Sequence, residues 1–470
     1  MRTRFLAIGI LTTLLLTSAL WLAGQQGRIV DVIQSRREKP AIAVIDFRGT
    51  GAAQPLTKAF NDTLWDDLEE AGVFTMVAKT VYPLELPQRP EDFQPPRTTV
   101  PAKQGDPPVT IRVGPWLTDW SNPPVNTTYL AFGYLAAPGQ DLVLYGYLFN
   151  VLQPDVQTAL VSGRQYYGSV DESGARKVAH EFAAEILKMM GVPSLAGSKI
   201  YFTSDRTGFK EIWTMDYDGS NQRPLTSYKT NSQMPAVSPD GKQVAFVTLA
   251  NNGRGEEWQI RIHTTDTARR LTYAGPTGSS IVGPEFSPDG KKLWFGLEQD
   301  GWPQIVHSNI DGSQLERVSR LQAIELSPRL NPKTGTEVIY VSGRSRKPQL
   351  WKMNVNGTGQ EMLTDGDGEA HNPAWSPSGQ QVAFAWTKGY EPGNLNIFVM
   401  DVATKQYLQL THGSGRNENP WWAPDGLHLV FAREEGRVSQ LYTMLADGTR
   451  VKKLTSAGNN SQPVWSKGIN

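Results

Sequence analysis

From Lys199 onward, short apolar runs and polar turns alternate with a fixed period, which marks a repeat architecture. A Leu-Thr pair or near match recurs with first members Leu225, Leu271, Val318, Leu363, Leu410 and Leu454, 44 to 47 residues apart. Each unit opens on a Pro-x-apolar-Ser segment: Pro235 to Ser238, Pro284 to Ser287, Pro373 to Ser376, and Pro420 to Ala423 with Ala for Ser. The turns SPDG, SPDG, SPSG and APDG follow at Ser238, Ser287, Ser376 and Ala423. In them Pro presets φ near −65° and Gly tolerates positive φ, so the chain reverses cheaply. Apolar or alternating runs at 243–247, 292–297, 337–341, 381–385 and 427–432 predict strands. A further strand at 211–215, 349–353 and 440–444 runs into Asp218-Gly219, Asn356-Gly357 or Asp447-Gly448, which are hairpin turns. Four strands per unit make a propeller blade.

The two ends of the repeat fit together. The first unit starts at Ile200-Tyr201-Phe202 without an opening segment, and the chain finishes on an orphan one, Gln462 to Ser466. Pairing them completes a sixth blade and removes the open sheet edges. The third inner segment, Ala323 to Pro328, has no upstream Pro or aromatic and a longer turn through Asn331-Pro332-Lys333, which predicts an altered edge at the ring mouth. Ten of the fourteen Trp fall in the repeat, among them Trp213, Trp351, Trp375 and Trp465, and read as packing between blades.

The N-terminal half has a different rhythm. Ala41 to Phe47 reads as a buried strand, Leu56, Phe60, Leu64 and Leu68 as one face of a helix ending at Gly72, and Val73 to Val77 as a second strand. Strands are predicted at 129–135, 142–149 and 159–167, and an amphipathic helix over 171–190 from Val178, Phe182, Ile186 and Met190. The segment 83–108 holds eight prolines and reads as an extended surface loop. The fold class is thus an α+β N-terminal domain (38–192) followed by an all-β six-bladed β-propeller (199–466) with C-terminal strand closure.

Composition narrows the function. Lys plus Arg and Asp plus Glu both total 46, so no basic surface is implied and nucleic acid is not the expected partner. The absence of cysteine excludes disulfides, thiol chemistry and Cys-based zinc sites. Arg2 and Arg4 before an apolar stretch from Phe5 to about Ala23 form an export pattern, so 1–24 is expected to be a signal peptide or an uncleaved anchor. Catalytic motifs are missing: no G-x-S-x-G elbow occurs, and His180-Glu181 is followed by Ala184 where H-E-x-x-H needs a second His. Asp365 to Glu369 faintly resembles a calcium loop, but Ala370 stands where the sharp turn needs Gly. No catalytic residue, cofactor or metal is expected, and the chain reads as a monomer.

The loops that enter the innermost strands converge on the ring axis. They carry Asn231, Ser232, Gln233 and Met234; Ser280 and Gly283; Glu369, His371 and Asn372; Arg416, Asn417, Glu418 and Asn419; and Asn460, Ser461 and Gln462. Neutral amides and hydroxyls predominate, which suits hydrogen bonding to a partner backbone better than acid catalysis. Many could instead cap their own turns.

The strand A-I-A-V-I-D-F at 41–47, Trp116 and Trp120 in a W-x-x-x-W, Gly133 in a strand, Ala-His-Glu at 179–181, K-I-Y-F-T-S-D-R at 199–206, and the blade strings S-P-D-G-K and I-W-x-M-D-x-D-G resemble the TolB family. The resemblance implies a non-enzymatic periplasmic scaffold of the Tol-Pal system. Its propeller mouth would bind a Pal-like peptidoglycan-associated lipoprotein, and its mature N-terminus a TolA-like inner-membrane protein, supporting outer-membrane integrity and constriction at division. The alternative is a secreted propeller that binds a peptide or carbohydrate, or a lyase or hydrolase using channel carboxylates.

Overall fold

The structure, a computed structural model, describes residues 39–99, 109–111, 114–251, 255–265, 270–272, 280–299, 301–413 and 415–468. The chain divides into two compact units, one ending at Ala196 and one beginning at Gly197. The expected signal segment, 1–24, lies outside the described residues.

The first unit is a mixed sheet in the order Thr75–Met76, Ala41–Val44, Tyr129–Ala136, Asp141–Asn150, Leu160–Ser169. The first two pairings are parallel and the others antiparallel. Helices Thr57–Glu70 and Glu172–Met189 cover one face. Phe60, Leu64 and Leu68 meet Val178, Phe182 and Ile186 there in one buried core. Asp171 caps the second helix by accepting from the Gly174 N–H at 2.7 Å. His180 Nδ1 lies 2.7 Å from Asp67 Oδ2 and ties the two helices together.

The proline-rich stretch is more than a surface loop. Phe93 packs with Leu117, Trp120 and Phe132 on the other face of the sheet, and Arg97–Thr99 pairs with Val109–Ile111 as a small ribbon. Phe93, between Pro90 and Pro95, supplies the anchor that periodicity alone did not reveal.

The second unit is six four-stranded antiparallel sheets. Their innermost strands are Ser232–Val237, Ile281–Phe286, Glu325–Leu330, Ala370–Trp375, Asn417–Trp422 and Asn460–Trp465. The last belongs to the blade that begins the ring: Asn460 pairs with Ser204 and Trp465 with Ile200. Ser466 N–H donates to the Lys199 carbonyl at 2.8 Å, and Trp465 Nε1 to Ser198 Oγ at 2.9 Å, so the first and last strands of the propeller are locked into one sheet.

The Leu-Thr mark has a structural cause. The Thr or Ser hydroxyl accepts from the backbone N–H at the third strand: Thr226 from Ile212 at 2.8 Å, Ser319 from Ile305 at 2.9 Å, Thr411 from Ile397 at 2.8 Å and Thr455 from Leu441 at 2.8 Å. The same hydroxyls donate to Glu211, Gln304, Asn396 and Gln440 respectively. These four blades thereby satisfy polar groups that their own burial would strand.

The irregular blade needs correction. Its inner strand is Glu325–Leu330, so Pro328 occupies the place of Pro235, Pro284, Pro373, Pro420 and Pro463, and the turn from Asn331 replaces SPDG. Asn331 N–H bonds to the Glu337 carbonyl as Ser238 N–H bonds to that of Gln243, both at 2.9 Å. The missing aromatic is Leu330, which misaligned the sequence pattern. The tryptophans also divide into two groups. Trp375 and Trp422 belong to inter-blade cores, whereas Trp213 and Trp351 are half-buried beneath Arg206 and Arg344, at 4.8 and 4.3 Å from guanidinium to ring centroid.

Candidate functional site

Each inner strand carries the same defect. Its pairing slips between the second and fifth residues, as between Gln233 and Ala236 or Ser461 and Val464, leaving an x-Pro pair outside the ladder. The residue before the proline is left-handed in all six: Met234 (φ 58°), Gly283 (60°), Ser327 (53°), Asn372 (52°), Asn419 (54°) and Gln462 (54°). A side chain there, ahead of proline, is strained by about 1–3 kcal/mol. All six line a mouth cavity of about 80 Å³, with Pro235, Pro284, Pro373, Pro420 and Pro463 among the residues that floor it.

The floor is closed by two large side chains from blades two apart in the ring. Arg329 reaches inward with its guanidinium 5.0 Å from the Trp421 ring centroid. Its Nη1 donates to Glu285 Oε2 at 2.9 Å and the Pro284 carbonyl at 3.4 Å, and its Nε to the Pro373 carbonyl at 3.3 Å. The matching positions Ala236, Ala374 and Val464 are small enough to admit them. Arg329 and Trp421 also line a second cavity, of about 170 Å³, on the far side, walled by Phe286, Leu330, Trp375, Trp422 and Trp465 and rimmed by Pro239, Pro288, Pro332, Pro377 and Pro424. Burial pushes the Glu285 carboxyl up to about 7, against the opposing pull of Arg329.

The sixteen expected contact residues fall into three groups. Met234, Gly283, Asn372, Asn419 and Gln462 line the mouth. Asn231, Ser280 and Arg416 are exposed on its rim, and Gln233, Glu369, His371, Glu418 and Ser461 are half-buried. Arg416 there pairs with Glu418 at 2.7 Å, and His371 with Glu369 at 3.5 Å. Ser232, Asn417 and Asn460 do not line the mouth. They are 0, 5 and 0 % exposed. Ser232 bonds to Thr248, Asn417 to Arg433, and Asn460 to Gln440 and Arg206. The first residue of each inner strand points into the blade, so its polar atoms belong to the fold.

Sequence reading missed Ser327, Arg329 and Trp421. The register of Pro328-x-Leu330-Asn331-Pro332 against Pro-x-Trp-Ser-Pro would have found the first two. Among the described residues no cluster of His, Asp or Glu could hold a metal ion. The calcium-like loop is occupied by Lys388, which pairs with Asp365 and lies 3.7 Å from Asp367. No helix among the described residues is long and apolar enough to cross a membrane.

A closed ring with a blind polar mouth on its axis defines a six-bladed β-propeller. The TolB beta propeller domain family matches residues 186–369 and 358–468, and the chain belongs to that family. A TolB homolog of Chlorobium luteolum is 33% identical over 201 residues, covering 43% of this chain and 44% of the relative. A Tol-Pal system protein TolB of Anaeromyxobacter dehalogenans is 32% identical over 162 residues, covering 34% and 36%. The matched stretches thus span less than half the length of these relatives. The crystal structure of TolB from Acinetobacter baumannii superposes with a TM-score of 0.71 over 92% of this chain and 97% of that one, at 21% identity, so the two share a fold.

Proposed function

We propose that the protein is a non-catalytic periplasmic scaffold of a Tol-Pal system, exported by residues 1–24, and that its channel mouth binds a Pal-like outer-membrane lipoprotein. The observation that carries this reading is the ring of six left-handed residues at the mouth, in a chain of the TolB propeller family. Strain repeated in five of the six blades is expected where backbone groups are withheld from the sheet for an outside partner. A segment preceding the first domain contacts a TolA-like protein, and the assembly supports outer-membrane constriction at division. The lyase or hydrolase alternative has less support, because the channel carboxylate Glu285 is engaged by Arg329 at 2.9 Å instead of forming an acid pair.

The test is calorimetric titration of the full chain with the soluble domain of the Pal-like lipoprotein from the same genome. Saturable one-to-one binding, weakened by Arg416→Ala with Asn419→Ala, is expected. No heat and no complex on gel filtration would remove the proposal.

A further inference from the structure

The six mouth positions are not equivalent. Around one half, each side chain satisfies the next backbone: Gln462 Oε1 accepts from Met234 N–H at 3.0 Å, and Met234 Sδ accepts from Gly283 N–H at 3.3 Å. The relay stops at Gly283, which has no side chain to pass on. Beyond it, the side chains of Ser327, Asn372 and Asn419 make no hydrogen bond with any described residue. A contiguous half of the mouth therefore presents unengaged amides and a hydroxyl.

Beneath that half lies Arg329. Three acceptors engage its Nε and Nη1, and its Nη2 has no hydrogen-bond partner among the described residues. The guanidinium is level with the Pro284 and Pro373 carbonyls, one residue below Gly283 and Asn372. Its side chain is only 17% exposed, so an anion that reaches it meets a largely desolvated cation. Glu285 offsets this charge incompletely, because burial opposes its ionisation.

We propose that the mouth takes one acidic side chain of the partner, its carboxylate on Arg329 and its flanking peptide groups on Asn372, Asn419 and Ser327. This rests on the mouth being the partner site. A cavity of about 80 Å³ admits one short side chain. Asn amides both donate and accept, so they match the peptide groups on both sides of an inserted residue. That favours a chain passing across the mouth over a chain end inserted into it.

The test uses the full chain and the soluble domain of the Pal-like lipoprotein, with all Asp and Glu of its binding surface changed singly to Asn or Gln. Arg329→Gln combined with Glu285→Gln keeps the channel pair neutral and should weaken binding roughly 30-fold or more, as for loss of a buried charged hydrogen bond. One partner carboxylate substitution should give a similar loss and add little to the double variant. Asn372→Ala with Asn419→Ala, which leaves Arg329 in place, should couple to the same carboxylate and decides the matter if the first variant melts early. Undiminished binding, additive losses, or coupling to the partner's C-terminus instead would overturn the inference while leaving the proposed function standing. Failure of the unaltered proteins to bind would remove both.

Discussion

The two ends of the propeller channel are built from the same six strands and are chemically opposite. At the mouth, the third residues of the strands are, Met234 apart, polar or small, and all are left-handed and some unengaged. At the far end, the sixth residues include Phe286, Leu330, Trp375, Trp422 and Trp465, all at most 8% exposed. Two residues thus take a strand from strain to close packing, with the x-Pro bulge as the hinge. The packed end provides the stability that tolerates the strained end, and strained, unpaired groups are those free to meet a partner.

The contrast gives opposite expectations for substitution. Trp375 is packed between blades and donates from Nε1 to the Arg329 carbonyl at 2.9 Å. Trp375→Ala should cost about 3–5 kcal/mol by denaturant unfolding. A loss below about 1 kcal/mol would mean that the far end is not the packed one. Glu285, between the ends, should act through pH. Its carboxyl is raised to about 7 in the folded chain from an ordinary 4.5, so the folded state holds the proton more tightly. This group's contribution therefore declines as pH rises from about 4.5 through 7, and is absent as a difference below 4.5, where both states are protonated. Glu285→Gln should flatten that slope and gain about 1–2 kcal/mol at pH 8, measured by unfolding across pH 4 to 8. The smallest effect is expected at the mouth. Asn372→Gly relieves φ 52° and removes no described hydrogen bond, so stability should change by less than about 1 kcal/mol while partner binding falls.

The ring and its closure were legible because the turns use residues with fixed backbone preferences and the period is constant. The orphan Gln462 to Ser466 could be joined to Lys199 on counting alone. Blade contents were harder. Leu330 and Asn331 stand where other blades have an aromatic and Ser, which hid Pro328 and with it Arg329. The contact between Arg329 and Trp421 spans two inner strands far apart in sequence, and only ring geometry brings them together. Ser232, Asn417 and Asn460 resembled mouth residues because sequence shows that a loop ends but not toward which side its next residue turns. Phe93 likewise anchors a proline-rich stretch whose composition suggested open loop.

The most direct measurement is hydrogen–deuterium exchange of the full chain with and without the soluble Pal-like domain. The account predicts slowed exchange in the mouth segments around Asn231, His371, Arg416 and Ser461, with the far-end turns at Gly241, Gly335 and Gly379 unchanged. Protection at those turns with none at the mouth would contradict it.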